Sequence, residues 1–201
     1  MALEGKTIGI ALTGSHCTIP EVLPEIEKLI MGGAAVIPIL SESVSHTDTR
    51  FGRAQDIREK LEKMTGTRVI DTMTKAEPVG PKKLLDCLVI APCTGNTVAK
   101  LALGITDSPV LMAAKAQLRN GRPVVIGIAT NDGLSGCARN IGMLHSRKNV
   151  YFIPYGQDDP IGKPTSIVSR MSEMERTVEE ALAGRQVQPL LVEKWKDLRR
   201  S

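Results

Sequence analysis

Short runs of unbroken apolar residues, rich in Val and Ile, recur along the chain: TIGIAL at 7–12, AAVIPIL at 34–40, CLVIAP at 87–92, PVVIGIA at 123–129 and VYFIP at 150–154. A strand with one wetted face alternates apolar with polar residues, whereas a strand covered on both faces reads as continuously apolar. These runs predict a parallel sheet buried between helices. Helical spacing fills the intervals. In PEVLPEIEKLIMGG (20–33), Val22, Leu23, Ile26, Leu29 and Ile30 share one face, and Gly32-Gly33 supplies the stop. Similar segments at 53–65, 96–119 and 167–184 make repeated strand–helix–strand units. The fold class is therefore α/β: a three-layer α/β/α sandwich with right-handed crossovers and a mainly parallel, Rossmann-like (flavodoxin-like) sheet. TRVID (67–71) is a candidate short strand, and KAEPVGPKKL (75–84) reads as an irregular loop.

With 201 residues, 42% apolar and 24% charged, the chain is expected to fold around one core. The rhythm holds to about residue 184, giving a single domain over 1–184 and a C-terminal tail over 185–201. A spread-out net charge of +4 and few aromatics give no footprint for nucleic acid. MALEGKTIG lacks a charged leader followed by a long apolar core and no apolar run reaches membrane-spanning length, so a cytoplasmic protein is expected. Cys17, Cys87, Cys93 and Cys137 form no C-x-x-C pair and read as free thiols. His16, His46 and His145 share no ligand spacing, so no metal site is expected.

In an open parallel sheet, ligands bind beyond the carboxyl ends of the strands. The residues that follow the apolar runs are consistently small and polar: Thr13-Gly14-Ser15-His16, Ser41-Glu42-Ser43, Pro92-Cys93-Thr94-Gly95-Asn96-Thr97 and Thr130-Asn131-Asp132-Gly133. Hydroxyl and amide side chains at helix starts cap the helix and, with its free N–H groups, hold an anion such as a phosphate. Gly14 and Gly95 would allow close backbone approach. Ordinary capping explains any one elbow; several on one sheet edge point to a phosphate-bearing ligand. G-x-G-x-x-G and G-K-[ST] are both missing, which disfavours NAD and excludes a Walker loop. Flavin mononucleotide (FMN), with one phosphate and a ring needing amide contacts, suits the elbows better.

The stretch APCTGNTVAKLALGITDSPVL (91–111) resembles the signature of the homo-oligomeric flavin-containing flavoprotein family, which includes cysteine decarboxylases and prenylating flavin enzymes. TGSHCT, TRFG, KAEPVGPK, RPVVIGIATND, FIPYGQDDP and QPLLVE extend the resemblance over nearly the whole chain. They are similar to one branch of that family. Its members form one component of the two-part oxidoreductase that converts dihydrodipicolinate to dipicolinate in the mother cell of sporulating bacteria, beside a separate A subunit. The resemblance implies FMN binding, a homo-oligomer (trimer or larger) and a dicarboxylate substrate. It leaves open whether the hydride passes to flavin here or to NADP on the A subunit. By the family pattern, Thr13, Gly14 and Ser15 match the phosphate-side turn and Ser41 or Ser43 the second polar elbow. Pro92, Thr94, Gly95, Asn96 and Thr97 match the signature loop. Asn131 matches the Asn of a Pro-x-Met-Asn motif, but Ile128-Ala129-Thr130 precede it, which counts against decarboxylation. An FMN-dependent decarboxylase and a non-catalytic, phosphate-binding partner remain the alternatives.

His16, just past the first turn, and His46, in SVSHTDTRFG, are the candidate acid–base residues. Arg50 is the candidate partner for a substrate carboxylate, with Arg53 more simply a solvated side chain. Cys17 and Cys93 sit at elbows where a helix start can activate a thiol, although packing explains them as well. The pair Asp158-Asp159 has an acid–base look that an Asp-rich turn also accounts for.

Overall fold

A computed structural model describes residues 3–193. Strands β1 (Thr7–Leu12), β2 (Ala35–Leu40), β3 (Cys87–Cys93), β4 (Val124–Thr130) and β5 (Val150–Phe152) are all parallel, in the order β2-β1-β3-β4-β5. The fold is the flavodoxin-like α/β sandwich expected, and the strand order reverses between β1 and β3. Two short antiparallel strands, β6 (Tyr155–Gly156) and β7 (Ile167–Ser169), complete the sheet. The edge of β4 is shared: Val124–Ile126 pair with β5, and Ala129 and Thr130 pair with β7.

The pleat sorts the apolar runs into two cores. Ile8, Ile10 and Leu12 of β1, Val89 of β3 and Val125 of β4 face one side. There they meet Val22, Ile26 and Leu29 of α1 (Ile19–Met31), Leu61 of α3 (Ala54–Thr65) and Val178 of α8 (Met174–Leu182). Ala11, Leu88, Ile90, Val124, Ile126 and Ile128 face the other side. Their cover comes from α5 (Gly95–Ala102), α6 (Pro109–Arg119) and α7 (Ala138–His145). Each fully buried Val, Leu or Ile contributes roughly 1.5–3 kcal/mol, so burial on both faces accounts for the unbroken apolar runs.

Several elements depart from the sequence reading. The helix expected over 96–119 is two helices. Gly104, at φ +73°, ends the first, and the Ser108 hydroxyl caps the second by accepting from Leu111 N at 3.3 Å, with Pro109 in its first turn. The helix expected over 167–184 opens as strand β7, too short to show a period, and becomes helical only at 171–182. Residues 67–71 form no strand; Ile70 makes one bridge to Ile39 beside β2. Residues 75–84 are partly helical, through α4 (Met73–Ala76) and a 3-10 turn at Glu77–Val79. The short helix α2 (Glu42–His46) and α7 carry too few periodic positions to stand out in the sequence.

Of the tail expected over 185–201, residues 194–201 lie outside the described residues. The Gln186 amide accepts from Phe152 N and donates to Phe152 O, each at 2.8 Å, extending the edge of β5 with a side chain. Tyr155 of β6 exchanges backbone bonds with Leu190 and Val192. No described helix is long and apolar enough to cross a membrane.

Gly127 marks a close approach of β4 to β3. A Cβ there would stand 2.8 Å from the Cβ of Ala91 on the neighbouring strand, an atom the backbone holds in place. Gly127→Ala is expected to cost about 1–3 kcal/mol by overpacking, read as a lower denaturant midpoint; an unchanged midpoint would contradict this packing.

Candidate functional site

The elbows after β1, β3 and β4 meet around a cleft of about 990 Å³ at the carboxyl ends of the strands, beside the reversal of strand order. Its foundation is Thr13, which is 2% exposed. The Thr13 N–H and hydroxyl both donate to Pro92 O, at 3.2 and 2.7 Å, and the same hydroxyl accepts from Thr94 N at 3.0 Å. One side chain thus ties the end of β1 to the end of β3. Thr94 in turn caps α5, accepting from Thr97 N at 3.4 Å, with its hydroxyl 3.1 Å from that of buried Thr97.

Beyond Thr13 the chain turns through Ser15 and a 3-10 turn (His16–Thr18) into α1. Ser15 N bonds Thr13 O and Thr18 N bonds Ser15 O. The N–H groups of Gly14, His16 and Cys17 have no acceptor among the described residues. Gly95 and Asn96 stand at the first two positions of α5, whose N–H groups a helix start leaves over. Free donors on two elbows across one cleft are the kind of groups that hold anions at helix starts and backbone nests.

Seven of the residues assigned to a site from the sequence line this cleft, Gly14, Ser15, His16, Thr94, Gly95, Asn96 and Asn131, as do Cys17 and Asp158, which were weighed there. Thr13, Pro92 and Thr97 lie beneath it as buried supports. Ser41 caps α2, accepting from Val44 N at 3.5 Å, and Ser43 reaches His16, Oγ to Nε2, at 3.3 Å. The Nδ1 atom of His16 is buried without a partner. His46 and Arg50 are exposed and are not on the cleft wall; the Arg50 guanidinium lies 4.8 Å over the ring of Phe51, which is on it.

The glycines serve packing as much as ligand access. A Cβ on Gly95 would meet Thr130 Oγ1 at 2.6 Å and Asp132 Oδ1 at 2.8 Å, and one on Gly14 would meet Ser43 Oγ at 3.0 Å. Asp132 Oδ1 also accepts from the Thr130 hydroxyl at 2.5 Å, which sets a carboxylate beside the start of α5. Cys93 is fully buried, and burial pushes its thiol well above the usual range, so it is a packing residue. Cys17 is exposed on the cleft wall. No three His, Cys, Asp or Glu among the described residues are grouped to hold a metal ion.

The cleft also holds residues that the sequence reading did not assign to a site. Glu21 and Asp132 are acidic, and a loop between β6 and β7 adds Asp158, Lys163 and Ser166. That loop is fastened to the β4 elbow: the Thr165 hydroxyl donates to Asn131 O at 2.6 Å and Leu134 N donates to Thr165 O at 2.9 Å. Only the Asp158-Asp159 pair gave any signal of it.

Thr13→Val keeps the shape and removes the hydroxyl, leaving Thr94 N unpaired. A loss of about 1–3 kcal/mol is expected, together with weaker anion binding at the cleft; unchanged stability and binding would show that the hydroxyl does not hold the two strand ends.

Comparison with known proteins agrees with this geometry. The model of the Flavoprotein family matches residues 1–178. The B subunit of dipicolinate synthase from Bacillus subtilis is 54% identical over 194 residues, 96% of this chain and 97% of the relative. The crystal structure of the B subunit of dipicolinate synthase from Bacillus halodurans superposes with a TM-score of 0.89 at 53% identity, covering 96% of this chain and all of the other. DmrB of Burkholderia xenovorans, solved in complex with FMN, shares the fold at 20% identity and a TM-score of 0.66, covering 89% of this chain and 96% of its own. By sequence and by fold, this chain belongs to the Flavoprotein family.

Proposed function

We propose that the chain is the B subunit of a dipicolinate synthase, holding FMN in the cleft and oxidising dihydrodipicolinate to dipicolinate together with a partner chain. The observation that carries this reading is the set of unaccepted N–H groups on the β1 and β3 elbows, in a Flavoprotein-family chain similar over nearly its whole length to a dipicolinate synthase B subunit.

The donor set fits FMN. Neutral hydrogen-bond donors at Gly14, His16 and Cys17, with the Ser15 hydroxyl, would hold its phosphate. The Asn96 and Asn131 side chains and the ring of Phe51 would face its ring system. Bound there, the flavin supplies a two-electron acceptor. The chain's own task is to hold donor and acceptor together, away from bulk water. A decarboxylase is the weaker reading, because Ile128-Ala129-Thr130 replace the Pro-x-Met that precedes Asn131 in that motif. Self-association as a trimer or larger, pairing with an A subunit, and a place in the mother-cell cytoplasm belong to the same proposal.

Asn96→Ala removes an exposed amide from the start of α5. It is expected to weaken FMN binding up to about tenfold, the worth of a hydrogen bond near 1 kcal/mol, without lowering the melting temperature; an unchanged Kd would remove Asn96 from the site. The function itself is tested by mixing the purified chain, FMN and the A subunit with dihydrodipicolinate and following dipicolinate by ultraviolet absorbance. Formation that depends on this chain is expected, and equal formation without it contradicts the proposal.

A further inference from the structure

Lys163 is the one Lys or Arg among the described residues that line the cleft, and it shares the wall with the carboxylates of Glu21, Asp132 and Asp158. Its ammonium is only loosely engaged. It lies 3.8 Å from Asp158 Oδ2, beyond hydrogen-bond reach, and the side chain is 62% exposed. The other oxygen of Asp158, Oδ1, is buried and has no hydrogen-bond partner. Asp158 lines the cleft with a side chain that is 28% exposed, so its carboxylate is open to a ligand donor there.

The backbone around the pair is well fixed. Asp159 Oδ1 accepts from Gly162 N and Asp159 O accepts from Lys163 N, each at 2.8 Å, and Gln157 Nε2 donates to Pro164 O at 2.8 Å. The Ser166 hydroxyl donates to Thr130 O at 3.3 Å, which ties the far end of the loop to β4. Cation and anion are therefore presented to the cleft as a set.

We infer that Lys163 and Asp158 are the substrate-recognition pair of this cleft, Lys163 taking a carboxylate and the Asp158 carboxylate the ring N–H beside it. This inference rests on the proposed function. A dihydropyridine dicarboxylate in its N–H tautomer carries a carboxylate on the carbon next to the ring nitrogen, an acceptor and a donor side by side. The pair offers the complement. Oxidation changes the ligand's sign at one atom. A ring C–H bond breaks and its electron pair leaves with the hydrogen as hydride, for which a flavin held in the cleft would be the two-electron acceptor. The N–H bond breaks, its proton passes to the Asp158 carboxylate and its electron pair stays on nitrogen, so the ring is aromatic. Once Asp158 loses that proton to water, a nitrogen lone pair faces a carboxylate, and the product is repelled where the substrate was held. Arg50, outside the cleft wall, is not needed for the carboxylate.

The test uses the FMN-loaded chain with its A subunit, and dipicolinate as the probe. Lys163→Ala is expected to weaken dipicolinate binding and raise the substrate KM by about 10- to 100-fold, in line with a charged hydrogen bond. FMN affinity should stay unchanged, and Lys163→Arg should restore part of the loss. Asp158→Asn is expected to lower kcat by about 10²- to 10⁴-fold, the usual range for a lost proton acceptor, while dipicolinate binds more tightly, because an amide donates to the ring nitrogen. Retained FMN affinity in each variant is the control for folding. Wild-type dipicolinate affinity in Lys163→Ala, or turnover within about twofold of wild type in Asp158→Asn, would overturn the inference and leave the proposed function standing. A wild-type chain that neither binds dipicolinate nor forms it would overturn both.

Discussion

The hydroxyl of Thr13 carries more of this structure than its size suggests. It donates to Pro92 O and accepts from Thr94 N, so the ends of β1 and β3 are fixed to each other where the strand order reverses. Helices leave those ends toward opposite faces of the sheet, and a gap between them is a geometric consequence. The turn at Gly14–Cys17 and the start of α5 then face each other across the cleft. The bond to Pro92 O is buried and the one from Thr94 N part-buried, so losing the hydroxyl takes from the Thr94 N–H its protein partner.

The site is defined by where charge is absent as much as by where it is present. Around Gly14–Cys17 the donors are neutral backbone groups and hydroxyls, with the Glu21 carboxylate following in the first turn of α1. The walls nearer β4 and the β6–β7 loop carry Asp132 and Asp158, with Lys163 as the compensating cation. A ligand bearing phosphate at one end and a planar ring toward the other meets both environments in a sensible order. The packing of Gly95 against Thr130 and Asp132 also narrows what can enter there.

Much of this was legible in the sequence because burial on both faces writes itself as unbroken Val/Ile runs, and polar elbows follow them directly. The parallel strands, the flavodoxin-like class and seven cleft-lining residues came from those two signals. The rest depends on contacts between distant segments. Strand β7 is three residues long and exists because Ala129 and Thr130 leave a free edge beyond β5. The break between α5 and α6 turns on Gly104 and the Ser108 cap, which an apolar helical rhythm over 96–119 conceals. Asp158 and Lys163 reach the cleft from a loop that follows no apolar run, pinned by hydrogen bonds to the β4 elbow. His46 and Arg50, placed in the loop after β2 by the sequence, stay exposed on its outer side while Thr49 and Phe51 line the cleft.

The central claim is that free N–H groups in the turn at Gly14–Cys17 hold a flavin phosphate. Titration of the purified chain with FMN, followed by flavin fluorescence and absorbance, tests it most directly, with riboflavin, which lacks the phosphate, as the companion ligand. Saturable FMN binding at one flavin per chain is expected, with riboflavin binding weaker by at least about tenfold, as loss of charge-assisted hydrogen bonds requires. Equal affinity for the two, or no saturable FMN binding by the folded chain, would contradict it.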